Sequence, residues 1–488
     1  MSPSATAPAD AKQQAPAPPR NGLDRFFRIS ERGSSVSREV RGGLATFFAM
    51  AYIIVLNPII LGSGEDKFHH HLDNAQLVTA TALMAGLTTL LMGVIGNVPI
   101  ALAAGLGINA VVSLQLAPKM SWPDAMGMVV LAGLVLMLLV ASGLRQRVMD
   151  AIPGGLRRAI AIGIGLFIAL IGLVDSGFVT RNPDKAHTTV PMGLGIEGKL
   201  QGWPVLIFVA GLALTFVLVV RKTRGAILLG MVTMTVVAVV VNAVADIPAG
   251  SWGLTAPELP DKVVATPDFG LIGQVSLFGG FHEVGILTGC LFVFTVLLSG
   301  FFDAMGTIIG VGEEAGLTDK RGQLPGMGRI LMVDGVAVAG GGFGSASANT
   351  CFVESTAGVG EGARTGFANV VTGGLFLLAL VFTPLAEVVP SQAATPALVV
   401  VGFLIMAANV KEIDWSDFTI AVPAFLAMIS MPFTYSITNG IGLGVLSYLL
   451  LRIATRRTRE VPWLLSAVGL CFLVYFLLHP IQQALGSG

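Results

Sequence analysis

The chain has 488 residues, of which 54% are hydrophobic and 12% charged, and its mean hydropathy is +0.80. Soluble domains carry about 25% charged residues, so a water-soluble fold is excluded and an all-α polytopic membrane protein is expected. Lys+Arg and Asp+Glu balance at 29 each, and no nucleic-acid partner is expected from so little charge.

Residues 1–22 are rich in Ala, Pro, Ser and Gln and hold no apolar core. They read as a disordered cytoplasmic tail rather than a signal peptide, with the first span as an uncleaved insertion signal. At about 20 apolar residues per span, segments begin near Leu44, Gln76, Ile100, Pro123, Leu156, Pro204 and Ala226. A second set begins near Ile286, Met327, Phe343, Gly366, Pro396, Phe418 and Ile437, which makes fourteen. A further apolar helix within 460–480 (Pro462 to Leu478) follows an arginine cluster, and it is expected to lie on or partly in the membrane.

Loop charge tests this count. Loops after even-numbered spans carry Arg145, Arg147, Arg157 and Arg158, then Arg221, Lys222 and Arg224, then Lys320, Arg321 and Arg329. Arg364, Lys411 and the group Arg452, Arg456, Arg457 and Arg459 continue the series. Loops after odd spans hold scattered cations such as Lys67 and Lys119. By the positive-inside rule both termini are cytoplasmic and the protein is a multi-pass component of the cell membrane. An even total split into two sevens forces the halves into inverted topology.

Two spans are interrupted. The third reads Gly105-Leu106-Gly107-Ile108-Asn109 and the tenth Ser345-Ala346-Ser347-Ala348-Asn349, at corresponding places in the two halves. The second lies within the run Gly340–Thr350, whose glycines and serines resist helix. Irregular backbone at membrane depth is tolerated where it lines a cavity or packs in protein. Paired interruptions point to a binding site between inverted repeats, and hence to a transporter.

Few acids lie within spans, where each costs roughly 2.5–3.5 kcal/mol on insertion scales. Glu354 follows the broken run, and Asp303 sits in the eighth span with Thr307 at i,i+4, within reach of its face. Asn109 and Asn349 either contact a ligand or close a broken helix end. Asp334 reads as capping or packing, Asp175 as solvated near an external end, and His69-His70-His71 as loop decoration rather than a metal site. No metal, organic cofactor or catalytic residue is expected. Neither a P-loop nor a GxSxG motif is present, so the chain is read as a transporter and not an enzyme. Two carboxylates beside exposed backbone suit a flat polar solute with N–H and C=O groups. One acid loading and releasing a proton would couple its uptake to a proton gradient, with sodium as the other candidate ion. Phe301, Phe302 and Phe352 could supply stacking surfaces.

At these residues the chain resembles the nucleobase–cation symporters, specifically the AzgA-like branch of adenine/guanine/hypoxanthine permeases. The resemblance runs from about Asn21 to Thr458. It rests on Arg41-Gly-Gly-Leu-Ala-Thr-Phe-Phe-Ala-Met-Ala-Tyr-Ile-Ile-Val-Leu-Asn-Pro58, Ala104-Gly-Leu-Gly-Ile-Asn-Ala110, Phe302-Asp-Ala-Met-Gly-Thr307, the stretch Glu354 to Thr365, and Met431 to Gly440. It implies a seven-plus-seven inverted repeat with a core domain (38–145 and 284–388) and a gate domain (150–248 and 394–455). Spans three and ten would carry short strands flanking the substrate. Asp303, Glu354 and Asn109 would hold a purine base, helped by backbone N–H groups near Val353 and Glu354. Proton symport, with Asp303, Thr307 and Glu354 as the proton-coupling group, and a homodimer through the gate are implied as well. The chain departs from the pattern at Gly300, where many sequences of this branch carry a second acid. The alternatives are uracil or xanthine uptake on the same fold, and anion transport by a protein of the same architecture.

Overall fold

The computed structural model of the chain describes residues 22–484 apart from 144–151, 182–191, 197, 253–254, 261, 319–323 and 325, with backbone alone at 249, 302, 303, 306 and 478–484. The expected disordered tail therefore lies outside the described residues, save residue 22. So do the loop cations Arg145, Arg147, Lys320 and Arg321.

The first half begins with α1 (Gly22–Phe27), α2 (Val36–Met50), α3 (Ile53–Gly62) and α4 (Asn74–Leu91). Strand β1 (Leu102–Ala104) leads into α5 (Leu106–Val111), followed by α6 (Trp122–Ala141) and α7 (Gly154–Asp175). A hairpin of β2 (Val179–Arg181) and β3 (Met192–Leu194) precedes α8 (Trp203–Val220) and α9 (Ala226–Ala245). The second half holds α10 (Gly279–Val284), α11 (Ile286–Glu314), α12 (Met327–Phe343), β4 (Asn349–Cys351) and α13 (Ser355–Gly360). It ends with α14 (Phe367–Ala379), α15 (Pro396–Asn409), α16 (Phe418–Phe433), α17 (Ile437–Ala454) and α18 (Trp463–Ala484). Among the described residues nine helices are long and apolar enough to cross a membrane, and Ile286–Phe301, Phe418–Phe433 and Trp463–Leu477 are shorter apolar stretches. The molecule is a helical, polytopic membrane protein.

Helix is the default here because hydrocarbon offers the backbone no partner. The starts are set by side chains that accept the orphan first-turn N–H groups: Ser35 from Arg38, Asp73 from Gln76, Ser121 from Asp124 and Ser436 from Asn439. The helices pack in two groups. In one, α2, α3, α4, α13 and α14 lie together, with α6 against α11 and α12; in the other, α7 packs on α15 and α16, α8 on α9, and α16 on α17. Glycines bring backbones into direct contact inside a group. A Cβ on Gly402 would lie 2.3 Å from the Gly165 carbonyl, and one on Gly366 1.9 Å from that of Gly93. Across the groups, buried Gln115 Oε1 accepts from Ser436 Oγ and Thr438 Oγ1, each at 3.1 Å, and the Thr438 and Thr295 hydroxyls lie 3.1 Å apart.

One expectation is corrected. Gly340 to Phe343 are helical: α12 continues to Phe343 and the chain breaks only after Gly344. A Cβ on Gly341 would lie 2.1 Å from Ser347 O, and one on Gly342 2.9 Å from Val130 N. Tight packing on these glycines outweighs the roughly 1 kcal/mol that each costs a helix. The break itself holds Ser345 at φ +55° and Ser347 at φ +63°, left-handed values uncommon outside glycine. The C-terminal segment, expected to lie on or partly in the membrane, is a 22-residue helix packed lengthwise along α17. Gly442 receives Phe472 and Phe476, and Gly469 receives Leu449. The run is antiparallel to α17.

Candidate functional site

The two interrupted spans meet. Strand β1 pairs antiparallel with β4 in the register Leu102↔Cys351, Ala103↔Thr350 and Ala104↔Asn349. The ladder extends at both ends, since Gly105 N donates to Ala348 O and Phe352 N to Ala101 O, each at 2.9 Å. Leu102 N donates to Thr89 Oγ1 at 2.9 Å, and Ala101 N to Ser355 Oγ at 3.0 Å. Backbone groups that water would otherwise satisfy thus find protein partners at membrane depth. Each strand hands over to a short helix, β1 to α5 and β4 to α13.

A cavity of about 100 Å³ lies where these strands end. Glu354, at the start of α13, lines it beside Val353 and Phe352, with the Gly105–Ile108 stretch on the other strand's side. Ser299 and Thr307 of α11 add hydroxyls, and Tyr52 adds a phenol. The facing wall is apolar and comes from the second packing group, Ala161, Ile164 and Ile168 of α7 with Val401 and Ile405 of α15. Gly107 permits that approach, because a Cβ there would lie 2.6 Å from Ile164 Cγ2. The result is one polar and one apolar face, a shape that accepts a small flat solute with polar edges.

Tyr52 was not legible as a site residue. It sits at the break between α2 and α3, is 1% exposed, and donates to Glu354 Oε1 at 2.5 Å. A hydrogen bond to a charged group is worth roughly 1.5–3 kcal/mol, enough to fix the carboxylate's direction. Ser299 was also unforeseen; it lies one helical turn before Asp303, on the face that Thr307 continues.

Among the residues singled out from sequence, Glu354, Val353, Thr307 and Phe352 line the cavity. Asp303 is on α11 between Ser299 and Thr307, and its side chain lies outside the described residues, as does that of Phe302. Asn109 is fully buried just beyond the lining stretch, and neither side-chain polar atom has a hydrogen-bond partner among the described residues. Asn349 donates to Thr88 Oγ1 at 3.0 Å, Phe301 is buried in the core, and Asp334 accepts from Cys351 Sγ. Asp175, expected to be solvated, is half-buried with Oδ2 enclosed. In the His loop, His69 and His71 both approach the Glu65 carboxylate, at 3.0 and 3.2 Å, and the His69 hydrogen bond holds Glu65 below the usual carboxylate range. No group of three His, Cys, Asp or Glu side chains suited to a metal occurs among the described residues.

A bundle of membrane-spanning helices with a polar-walled cavity between two interrupted spans defines the class of membrane transporters. The fold itself is similar to the transmembrane domain of the cyanobacterial bicarbonate transporter BicA, with TM-score 0.56 and 13% identity over 86% of this chain and 97% of that one. It is also similar to SLC26A9, with TM-score 0.60 and 15% identity over 86% of this chain and 66% of that one. Residues 37–443 match the Permease family model designated Xan_ur_permease, and the chain belongs to that family. It is 37% identical to the guanine/hypoxanthine permease PbuG of Bacillus subtilis over 93% of this chain and 99% of that one. It is 35% identical to the adenine permease AdeQ of Escherichia coli over 93% and 96%. The chain is a permease and not an enzyme.

Proposed function

We propose that the chain imports purine nucleobases (hypoxanthine, guanine or adenine) by proton symport through alternating access. The observation that carries this reading is Glu354, a carboxylate fixed by Tyr52 on the polar wall of a small cavity where two broken spans meet. A carboxylate accepts from purine ring N–H groups, and the first-turn amides of α5 are oriented to donate, whereas those of α13 are taken up by the carbonyls of Phe352, Val353 and Glu354. PbuG and AdeQ, named for guanine/hypoxanthine and adenine transport, support the substrate class.

In this reading Asp303 and Glu354 grip the base, the backbone near Val353 assists, and Asn109 closes the α5 side. Asp303, Thr307 and Glu354 form the proton-coupling group, with sodium as the competing ion. The two packing groups act as core and gate of a fourteen-crossing, seven-plus-seven inverted repeat. Their boundaries are 38–145 with 284–388 and 150–248 with 394–455. The antiparallel β1–β4 pair, with its strand-then-helix repeat in each half, favours that symmetry. The termini face the cytoplasm, and the gate offers a homodimer surface.

The deciding experiment is competition for uptake of labelled hypoxanthine by adenine, guanine, xanthine and uracil in cells lacking their own permeases. Inhibition by the purine bases and not by uracil is expected. Uracil competing as well as guanine would transfer the assignment to the uracil/xanthine branch, and bicarbonate transport without purine uptake would transfer it to the anion transporters of this fold.

A further inference from the structure

A second and larger cavity, of about 430 Å³, lies between α6, α11, α17 and α18. Leu131 and Val135 of α6, Val293 and Leu297 of α11, Val445 of α17 and Leu465 of α18 form its walls, and among the described residues no charged side chain joins them. It opens at the outer surface of the bundle, where lining residues Val135 and Phe278 are 38% and 64% exposed. Val135 lies within Trp122–Ala141, one of the helices long and apolar enough to cross a membrane, so hydrocarbon is the expected surrounding. The slot belongs to neither the substrate site nor one packing group, since its walls come from both.

Charge marks one end. Chain runs from Val445 down α17 into the turn that carries Arg456, Arg457 and Arg459, and from there to Leu464 and Leu465, which line the slot in the first turn of α18. Arg452 is paired with Glu460 at 2.7 Å and Arg457 with Asp417 at 3.9 Å. Arg456 and Arg459 are exposed and form no ion pair among the described residues. Two exposed guanidinium groups with no ion pair among the described residues thus lie in the turn that leads, within eight residues, to the slot-lining Leu464, and guanidinium matches phosphate in charge and geometry.

We propose that this slot holds one acyl chain of an anionic phospholipid, with its phosphate on Arg456 and Arg459. Lipid tails are as apolar as the walls, so the chain gains packing contacts rather than escape from water. Preference for an anionic headgroup comes from the arginines. The occupant would touch both helix groups along its length, a place separate from the substrate cavity and from the transport reading.

The test is native mass spectrometry of the full-length protein equilibrated with mixtures of phosphatidylglycerol and phosphatidylcholine. One phosphatidylglycerol retained per chain, favoured about tenfold over phosphatidylcholine, is expected. Val293→Trp, which fills the slot, should lower that retention, and the pair Arg456→Gln and Arg459→Gln should abolish the preference while leaving the slot open. Equal retention of both lipids by the unsubstituted protein, or undiminished phosphatidylglycerol in either variant, would overturn the proposal. Should the tryptophan variant fail to fold, Cys290 on the slot wall gives an independent reading. Phosphatidylglycerol should slow its alkylation by N-ethylmaleimide several-fold, with Cys471 resolved separately by peptide analysis, and an unchanged rate overturns the proposal. None of these measurements depends on transport.

Discussion

Glu354 and Tyr52 share one hydrogen bond but make unequal demands on transport. Replacing Glu354 by Gln keeps the shape and removes the charge, so uptake of labelled hypoxanthine should fall to the level of cells without the protein, and Asp303→Asn should do the same. Normal accumulation by either variant, at normal membrane abundance, would sink the site assignment. Tyr52→Phe removes one hydrogen bond to a charged group, roughly 1.5–3 kcal/mol, and should reduce uptake efficiency about tenfold or more without abolishing it. Full uptake would show that the phenol does not orient the acid. Glu354 was legible because an acid after an apolar run is expensive and therefore conspicuous. Tyr52 was not, because aromatic side chains are common in spans and the break at Ala51–Tyr52 carries no Gly or Pro signal.

The elements divide by how they are specified. Long apolar runs announce themselves, and α4, α6 and α7 fall close to their expected starts. The three-residue strands β1 and β4 are too short for a period-two pattern, so their pairing could be foreseen only through family likeness. Helix α12 misled in the opposite direction: three consecutive glycines argue against helix locally, yet their missing side chains admit Val130 and Ser347 backbone atoms. The same logic makes a stability prediction. Gly402→Ala should lower the thermal midpoint in detergent, by overpacking against Gly165 worth about 1–3 kcal/mol. Gly374→Ala, whose added Cβ would meet nothing within 4 Å, should leave the midpoint unchanged or raise it, since alanine suits a helix interior better by about 0.5–1 kcal/mol. Equal losses in both would show that the contact between α7 and α15 does not limit stability.

For the whole molecule, balanced charge conceals its distribution: cations gather in the stretches between apolar segments, and those segments keep a few acids. If the acids carry the coupling ion, substrate should evoke alkalinisation outside cells. A protonophore should abolish both this signal and accumulation. Strict dependence on sodium with no proton movement would refute the coupling. Helix content and the membrane class were plain from composition. The lengthwise docking of α18 on α17 was not, because it rests on a contact between residues some thirty apart in the chain, Gly442 beneath Phe472 and Phe476, that no local pattern announces.

The β1–β4 ladder joins the halves of the site through backbone bonds at Gly105–Ala348 and Ala101–Phe352. In an alternating-access cycle the solute would then keep the same set of polar contacts whichever side is open, because that wall travels as one body. Its intrinsic affinity would be alike on the two faces of the membrane, and the site would contribute no directionality of its own. A standing concentration ratio would come entirely from the ion that moves with the base, and with that gradient collapsed the same protein would equilibrate its substrate in both directions.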